Sequence, residues 1–133
     1  MKVDGSCHCG NIRYEAEVDP ATAGICHCAD CRKLTGSAYR VGVRTSAADF
    51  RLSGGTPSIY IKTADSGTKR AHAFCPVCGS PIYAAAPENP TVYSLRVGGL
   101  RQGADLPPRI QIWCASGLPW AMDLTQLPGR ERQ

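Results

Sequence analysis

Cys26-His27-Cys28-Ala29-Asp30-Cys31 is the stretch on which the reading of this chain turns, and it has two companions, Cys7-His8-Cys9 and Cys75-Pro76-Val77-Cys78-Gly79. Together they take seven of the eight cysteines, and Cys114 stands alone. Thiols one or two residues apart close almost no loop, so they are poor disulfide partners for each other. Clustered thiolates suit a metal that needs several soft donors around one point, and zinc takes sulfur at about 2.3 Å in a tetrahedron. No apolar run precedes Cys7, so an export signal is not expected and a reducing, cytoplasmic setting is. The grouped thiols therefore read as metal ligands.

Their spacing suggests how they divide. Cys75 and Cys78 form a CxxC knuckle ending in Gly79, whose freedom lets backbone N–H groups approach sulfur. Joined to the tighter pair Cys7 and Cys9, it completes a closed, structural four-thiolate site that ties the N-terminus to the middle of the chain. Cys26, Cys28 and Cys31 remain, three local donors for a second zinc. Three protein ligands leave a fourth position open, the pattern of catalytic zinc. The alternative is a fourth protein ligand, from Cys114, His27 or His8. Two zinc ions per chain are expected, one structural and one open. Cys114, in the strand-like run Ile110-Gln111-Ile112-Trp113-Cys114, reads as a small buried hydrophobe. His8 and His27 read as surface residues or as supports for the ligands, and His72 as a strand residue.

The rest of the composition bounds the answer. The chain has 133 residues, of which 43% are hydrophobic and 20% charged, as in one ordinary folded domain. Its 14 Gly and 10 Pro predict many turns and short strands. The net charge of +4 is spread along the chain, and aromatic residues make up only 7%, which argues against a nucleic-acid partner. No stretch is apolar enough to predict a membrane span.

Alternation of apolar and polar residues marks the strands. In residues 11–18, Ile12, Tyr14, Ala16 and Val18 face one way and Arg13, Glu15 and Glu17 the other. Residues 38–44 repeat the pattern, with Tyr39, Val41 and Val43 opposite Arg40 and Arg44. Between them, residues 30–35 predict a short helical turn ended by Gly36. Ser46-Ala47-Ala48-Asp49 resembles a capping box and predicts another turn. Strands are expected at 50–52 and 59–61, then through a hairpin tip at Asp65-Ser66-Gly67 into 71–74. Further strands are expected at 81–84, 92–97, 110–114 and 121–124. One domain over 1–127, followed by a polar, frayed tail at 128–133, is the expected organisation.

Three motifs in this order resemble those of a known family. They are Gly5-Ser6-Cys7-His8-Cys9-Gly10-Asn11-Ile12, Cys26-His27-Cys28-Ala29-Asp30-Cys31-Arg32-Lys33-Leu34-Thr35-Gly36-Ser37 and Phe74-Cys75-Pro76-Val77-Cys78-Gly79-Ser80. With Pro108-Arg109-Ile110-Gln111-Ile112 and Pro119-Trp120, they are similar to the glutathione-dependent formaldehyde-activating enzyme family. The resemblance implies a mainly β fold, a small zinc-stabilised β-tent of two short antiparallel sheets with one or two helical turns. It implies a structural zinc on Cys7, Cys9, Cys75 and Cys78 and a second zinc on Cys26, Cys28 and Cys31. It also implies the addition of glutathione to formaldehyde to give S-hydroxymethylglutathione, a carbon–sulfur lyase reaction. The chain departs from the family pattern at Leu100-Arg101, where a Leu-Asp pair is frequent, and at Gln111, where histidine is frequent.

Two functional classes follow. In the first, the chain is an enzyme whose partner is a small thiol such as glutathione, with Arg32 and Lys33 placed to meet a carboxylate and Asp30 the nearest candidate base. In the second, it is a non-enzymatic, zinc-stabilised β module that binds a protein or a small thiol. The oligomeric state is not encoded in any motif.

Overall fold

The computed structural model describes residues 1–133. The chain forms eight strands, β1 (Lys2–Ser6), β2 (Arg13–Cys26), β3 (Arg40–Gly54), β4 (Ser58–Thr63), β5 (Lys69–Phe74), β6 (Pro81–Ala85), β7 (Val92–Arg96) and β8 (Ile110–Ile112), and a single α-helix, α1 (Ala29–Thr35). Four short 3-10 turns complete the regular structure. The fold is mainly β, as expected from the turn-rich sequence.

The strands form one continuous ladder in the order β1-β2-β3-β7-β6-β5-β4. All neighbours on this path are antiparallel, whereas β8 lies parallel to β2. The two expected sheets are thus two regions of one ladder that share β2 and β3. Both long strands are interrupted where the regions meet. The register of β2 on β3 jumps between Asp19 and Gly24, the segment that contains Pro20, which has no N–H to give to a ladder. On β3, four residues from Ser46 to Asp49 lie opposite Glu17 alone, between the pairs Val18↔Thr45 and Ala16↔Phe50. Here the capping-box expectation fails. Ser46 Oγ does bond Asp49 Oδ2 at 2.6 Å, but inside a strand bulge, where the Ala47 N–H bonds the Thr91 carbonyl.

The alternating face of β2 forms the core. Ile12, Tyr14, Ala16 and Val18 are buried and pack with Val3, Val43, Ile82, Leu95 and Leu106. Gly5 stands opposite Tyr14 in the ladder, and a Cβ there would run into the phenol ring and lie 2.7 Å from the Gly99 carbonyl oxygen. Its missing side chain is what lets β1 close over Tyr14.

The C-terminal expectations need two corrections. The strand at 110–114 stops at Ile112, because Trp113 takes a left-handed conformation (φ 58°) and Cys114 begins a 3-10 turn. Residues 121–124 form no strand; Pro119–Met122 is a 3-10 turn, since Pro119 gives its first residue a helical φ and no neighbouring strand offers a partner. Residues 128–133 are exposed and without regular structure.

Candidate metal centres and the cavity between them

The first cysteine group is built from two turns. Cys7 and Cys9 occupy the turn from β1 to β2, and Cys75 and Cys78 the turn from β5 to β6. Gly10 (φ 80°) and Gly79 (φ 76°) supply the left-handed corners that fold both loops back. The turns are also joined directly, through the His8 N–H and Ser80 Oγ at 3.0 Å. All four sulfur atoms lie within 4.8 Å of one another. Cys7 and Cys9 Sγ are 3.6 Å apart, and Cys9 and Cys75 Sγ 3.8 Å. A tetrahedron with bonds of about 2.3 Å has edges of about 3.8 Å, so the donor set fits zinc. Backbone N–H groups of Ile12 and Val77 point at Cys7 and Cys75 Sγ at 3.1 and 3.4 Å, which stabilises anionic sulfur.

The second group gathers on one short stretch. Cys26 ends β2, Cys28 caps α1, and Cys31 lies in the first turn of that helix. The Cys28 Sγ accepts from the Cys31 N–H at 3.3 Å, a thiol serving as N-cap. Gly36 (φ 64°) ends the helix as expected, its N–H on the Arg32 carbonyl. The three sulfur atoms also lie within 4.8 Å of one another.

Electrostatics supports a cation in each group. In the triad, N–H donors and neighbouring thiols outweigh burial and lower the Cys28 pKa, whereas burial and then Cys26 push Cys31 up to about 12. In the four-cysteine group, the Ser80 hydroxyl and backbone help bring Cys78 down to about 5. Cys9 is pushed up to about 12, its neighbouring thiols and burial outweighing the Asn11 N–H. Clustered thiols resist sharing several negative charges unless a cation joins them.

None of the three candidates for a fourth triad ligand joins the sulfur group. His8 is exposed. Cys114 is exposed as well, contrary to the expected buried role, because β8 ends two residues before it. His27 is only 1% exposed, so it is no surface residue. Its Nε2 meets Gln111 Oε1 at 2.8 Å, its ring packs edge-on against Tyr39, and its Nδ1 has no partner. Gln111, one departure from the family pattern, thus holds His27. Arg101, the other, pairs with Asp4 on β1 at 2.6 Å.

The residues expected to assist chemistry are otherwise engaged. Asp30 bonds Lys62 of β4 at 2.7 Å, and that ammonium holds its carboxyl below the usual range, so it anchors the helix start. Arg32 donates to the Ser116 carbonyl at 2.8 Å, and Lys33 is exposed. Arg40, which the alternation of residues 38–44 placed on the polar face, is instead buried, as is Arg96. Arg40, Arg96 and His72 line a cavity of about 380 Å³, which Leu34 of α1 bounds on one side and Phe74, Gly79 and Pro81 around the knuckle on another. Burial first, then Arg40 and Arg96, brings the His72 pKa down to about 4, so the ring is neutral at pH 7. A larger surface depression of about 740 Å³ lies over β1 and β2 and is lined by Lys2, Asp4, Glu15, Glu17, Arg51 and Arg101 among others.

Fold and site define a mainly β domain carrying two groups of clustered cysteines, each of which could hold a metal ion. The model of the glutathione-dependent formaldehyde-activating enzyme family matches residues 2–116, and the chain belongs to that family. A protein of Halomonas elongata, provisionally named a glutathione-dependent formaldehyde-activating enzyme, is 26% identical over 125 residues, covering 90% of this chain and 80% of the relative. A crystal structure of a Rhodobacter sphaeroides protein superimposes with a TM-score of 0.62 at 28% identity, covering 84% of this chain and 99% of the other.

Proposed function

We propose that this protein is a zinc-dependent enzyme of the carbon–sulfur lyase type that acts on glutathione, or a related small thiol, together with formaldehyde. In this reading Cys7, Cys9, Cys75 and Cys78 hold a structural zinc, and Cys26, Cys28 and Cys31 hold a second. The observation that carries it is a group of three sulfur donors, joined by no fourth protein donor, whose Cys26 lies opposite Arg40 of a cavity of ligand size. Family membership supports the substrates. All eight cysteines are free of disulfide bonds, which supports a reducing, cytoplasmic setting.

Zinc bound at the triad supplies a fourth coordination position that favours the thiolate form of an incoming thiol. The chain's own residues fix where that happens. Gly36 and the Lys62–Asp30 pair hold the two ends of α1, and the Cys31 N–H stabilises the anionic Cys28 sulfur. Neutral His72 adds no charge to the cavity wall. In the reaction, the thiol sulfur forms a bond to the formaldehyde carbon, the carbonyl π pair moves onto oxygen, and the proton lost by the thiol ends on that oxygen. No carboxylate of the chain is free at the triad to act as a strong base, which suits a reaction whose proton comes from an acidic thiol rather than from water.

The test is direct. Metal analysis should give two zinc ions per chain, and formaldehyde consumption with glutathione should exceed the spontaneous rate. In protein substituted with cobalt, glutathione should alter the visible spectrum of one metal and not the other. Thiol-dependent spectral change without turnover would favour a binding module; no change at either metal would overturn the open thiol site.

A further inference from the structure

Two arginines in the cavity beside the triad are not neutralised by any carboxylate of the chain. Arg40 is 8% exposed and Arg96 7%, and the Nε of each is buried without a hydrogen-bond partner. The ion pairs of the chain are Met1–Glu17, Lys62–Asp30 and Arg101–Asp4, so no acidic side chain reaches either guanidinium. Arg96 contacts only the Ser94 carbonyl at 3.5 Å and His72 Nδ1 at 3.3 Å. A buried charge without a partner is costly, and Arg stays protonated at neutral pH.

The sheet register explains the arrangement. Cys26 lies directly opposite Arg40 and Gly42 opposite Arg96, so the triad's first sulfur and both arginines stand on one face. Lys62, Arg70 and His72 share the same face, the last opposite Tyr60. No acidic residue lines the cavity, and Asp30 is already paired with Lys62. A zinc ion with three thiolates would carry one net negative charge and could balance only one of the two arginines.

We propose that Arg40 and Arg96 form a carboxylate-binding subsite, so that the thiol substrate is one that also carries a carboxylate. The placement next to the triad rests on the thiol reading given above. Two guanidinium forks match a planar anion with two oxygens, and charge-assisted pairs of this kind are the strong ones. Leu34, Phe74 and Pro81 give the cavity an apolar wall against which the carbon chain between thiol and carboxylate can lie.

The experiment is calorimetric titration of the zinc-loaded protein at pH 7 with 3-mercaptopropionate, 3-mercaptopropionamide, propionate and propionamide. The carboxylate thiol should bind at least about tenfold tighter than its amide. That advantage should vanish in Arg40→Gln and in Arg96→Gln and persist in part in Arg96→Lys. Equal affinity of the two thiols in the unaltered protein overturns the subsite and leaves the thiol site standing, whether or not the variants fold. An advantage that survives in both glutamine variants also overturns it. Binding of propionate over propionamide with no binding of either thiol supports the subsite and overturns the thiol reading. If none of the four probes binds, both are overturned.

Discussion

The two cysteine groups use the same donor chemistry to different ends. The four-cysteine group joins two turns that lie 66 residues apart in the chain, as the Cys9–Cys75 sulfur contact measures, with Cys7 and Cys75 fully inside the core. The triad joins six consecutive residues, all three of its sulfurs half-buried, and Cys26 lies opposite the cavity-lining Arg40. A metal bound by distant segments contributes its binding energy to folding, because the unfolded chain does not bring those segments together. A metal bound by neighbouring residues contributes little to the overall fold and is free to serve a ligand. The difference between the groups is therefore one of loop closure, not of ligand type.

The comparison breaks most visibly if the cysteines are removed one group at a time. Cys75→Ser should cost several kcal/mol and lower the yield of folded protein. Cys31→Ser should keep the β circular-dichroism spectrum, lose one of two zinc ions by metal analysis and lose glutathione-dependent turnover. Equal loss of fold in both would erase the distinction. A smaller effect separates two glycines. Gly5→Ala, which forces a Cβ against Tyr14 and the Gly99 backbone beside the first group, should destabilise by about 1–3 kcal/mol in urea unfolding. Gly36→Ala, where nothing lies within 4 Å of the added atom but φ is 64°, should cost about 1 kcal/mol.

Acid should act on the cavity region through His72. Its folded pKa of about 4 lies below the ordinary 6.5, so the unfolded chain binds the extra proton first. Its contribution is fully present above about pH 6.5 and is lost as pH falls toward about 4. The difference in unfolding free energy between the unaltered protein and His72→Gln should shrink across that window, because the glutamine does not titrate. The smallest effect is expected from Lys62→Ala, since the Lys62–Asp30 pair is partly exposed. It should cost under about 1 kcal/mol, with the difference from the unaltered protein reduced by salt.

The cysteine groups and most strands were legible in the sequence because their signals are local, whereas β1 (Lys2–Ser6) was not expected. The alternation at Ile12, Tyr14, Ala16 and Val18 names a buried face whatever the partner strand, and a CxxC brings its own geometry. What lay beyond reach depends on pairing. Arg40 alternates with buried Val43 and so reads as solvent-facing, yet its face is covered, by α1 on one side and by the knuckle on the other. Ser46 and Asp49 satisfy a helix-start pattern, but the ladder on either side of them holds the backbone extended. Cys114 follows an apolar run that reads as a buried strand, and the left-handed Trp113 ends that strand early. One sheet or two could not be read at all, since this depends on how β2 and β3 bridge their bulges.

Phe74, Gly79 and Pro81 border the cavity, while Cys75 and Cys78 sit between them in the chain. One wall of the small-molecule chamber is thus the outer surface of the very loop that clasps the first group of sulfurs. If the four sulfurs hold a metal, a chelator that strips it should also loosen this wall, even with the triad untouched. The cavity and the four-sulfur turn should therefore loosen together, however the triad is filled.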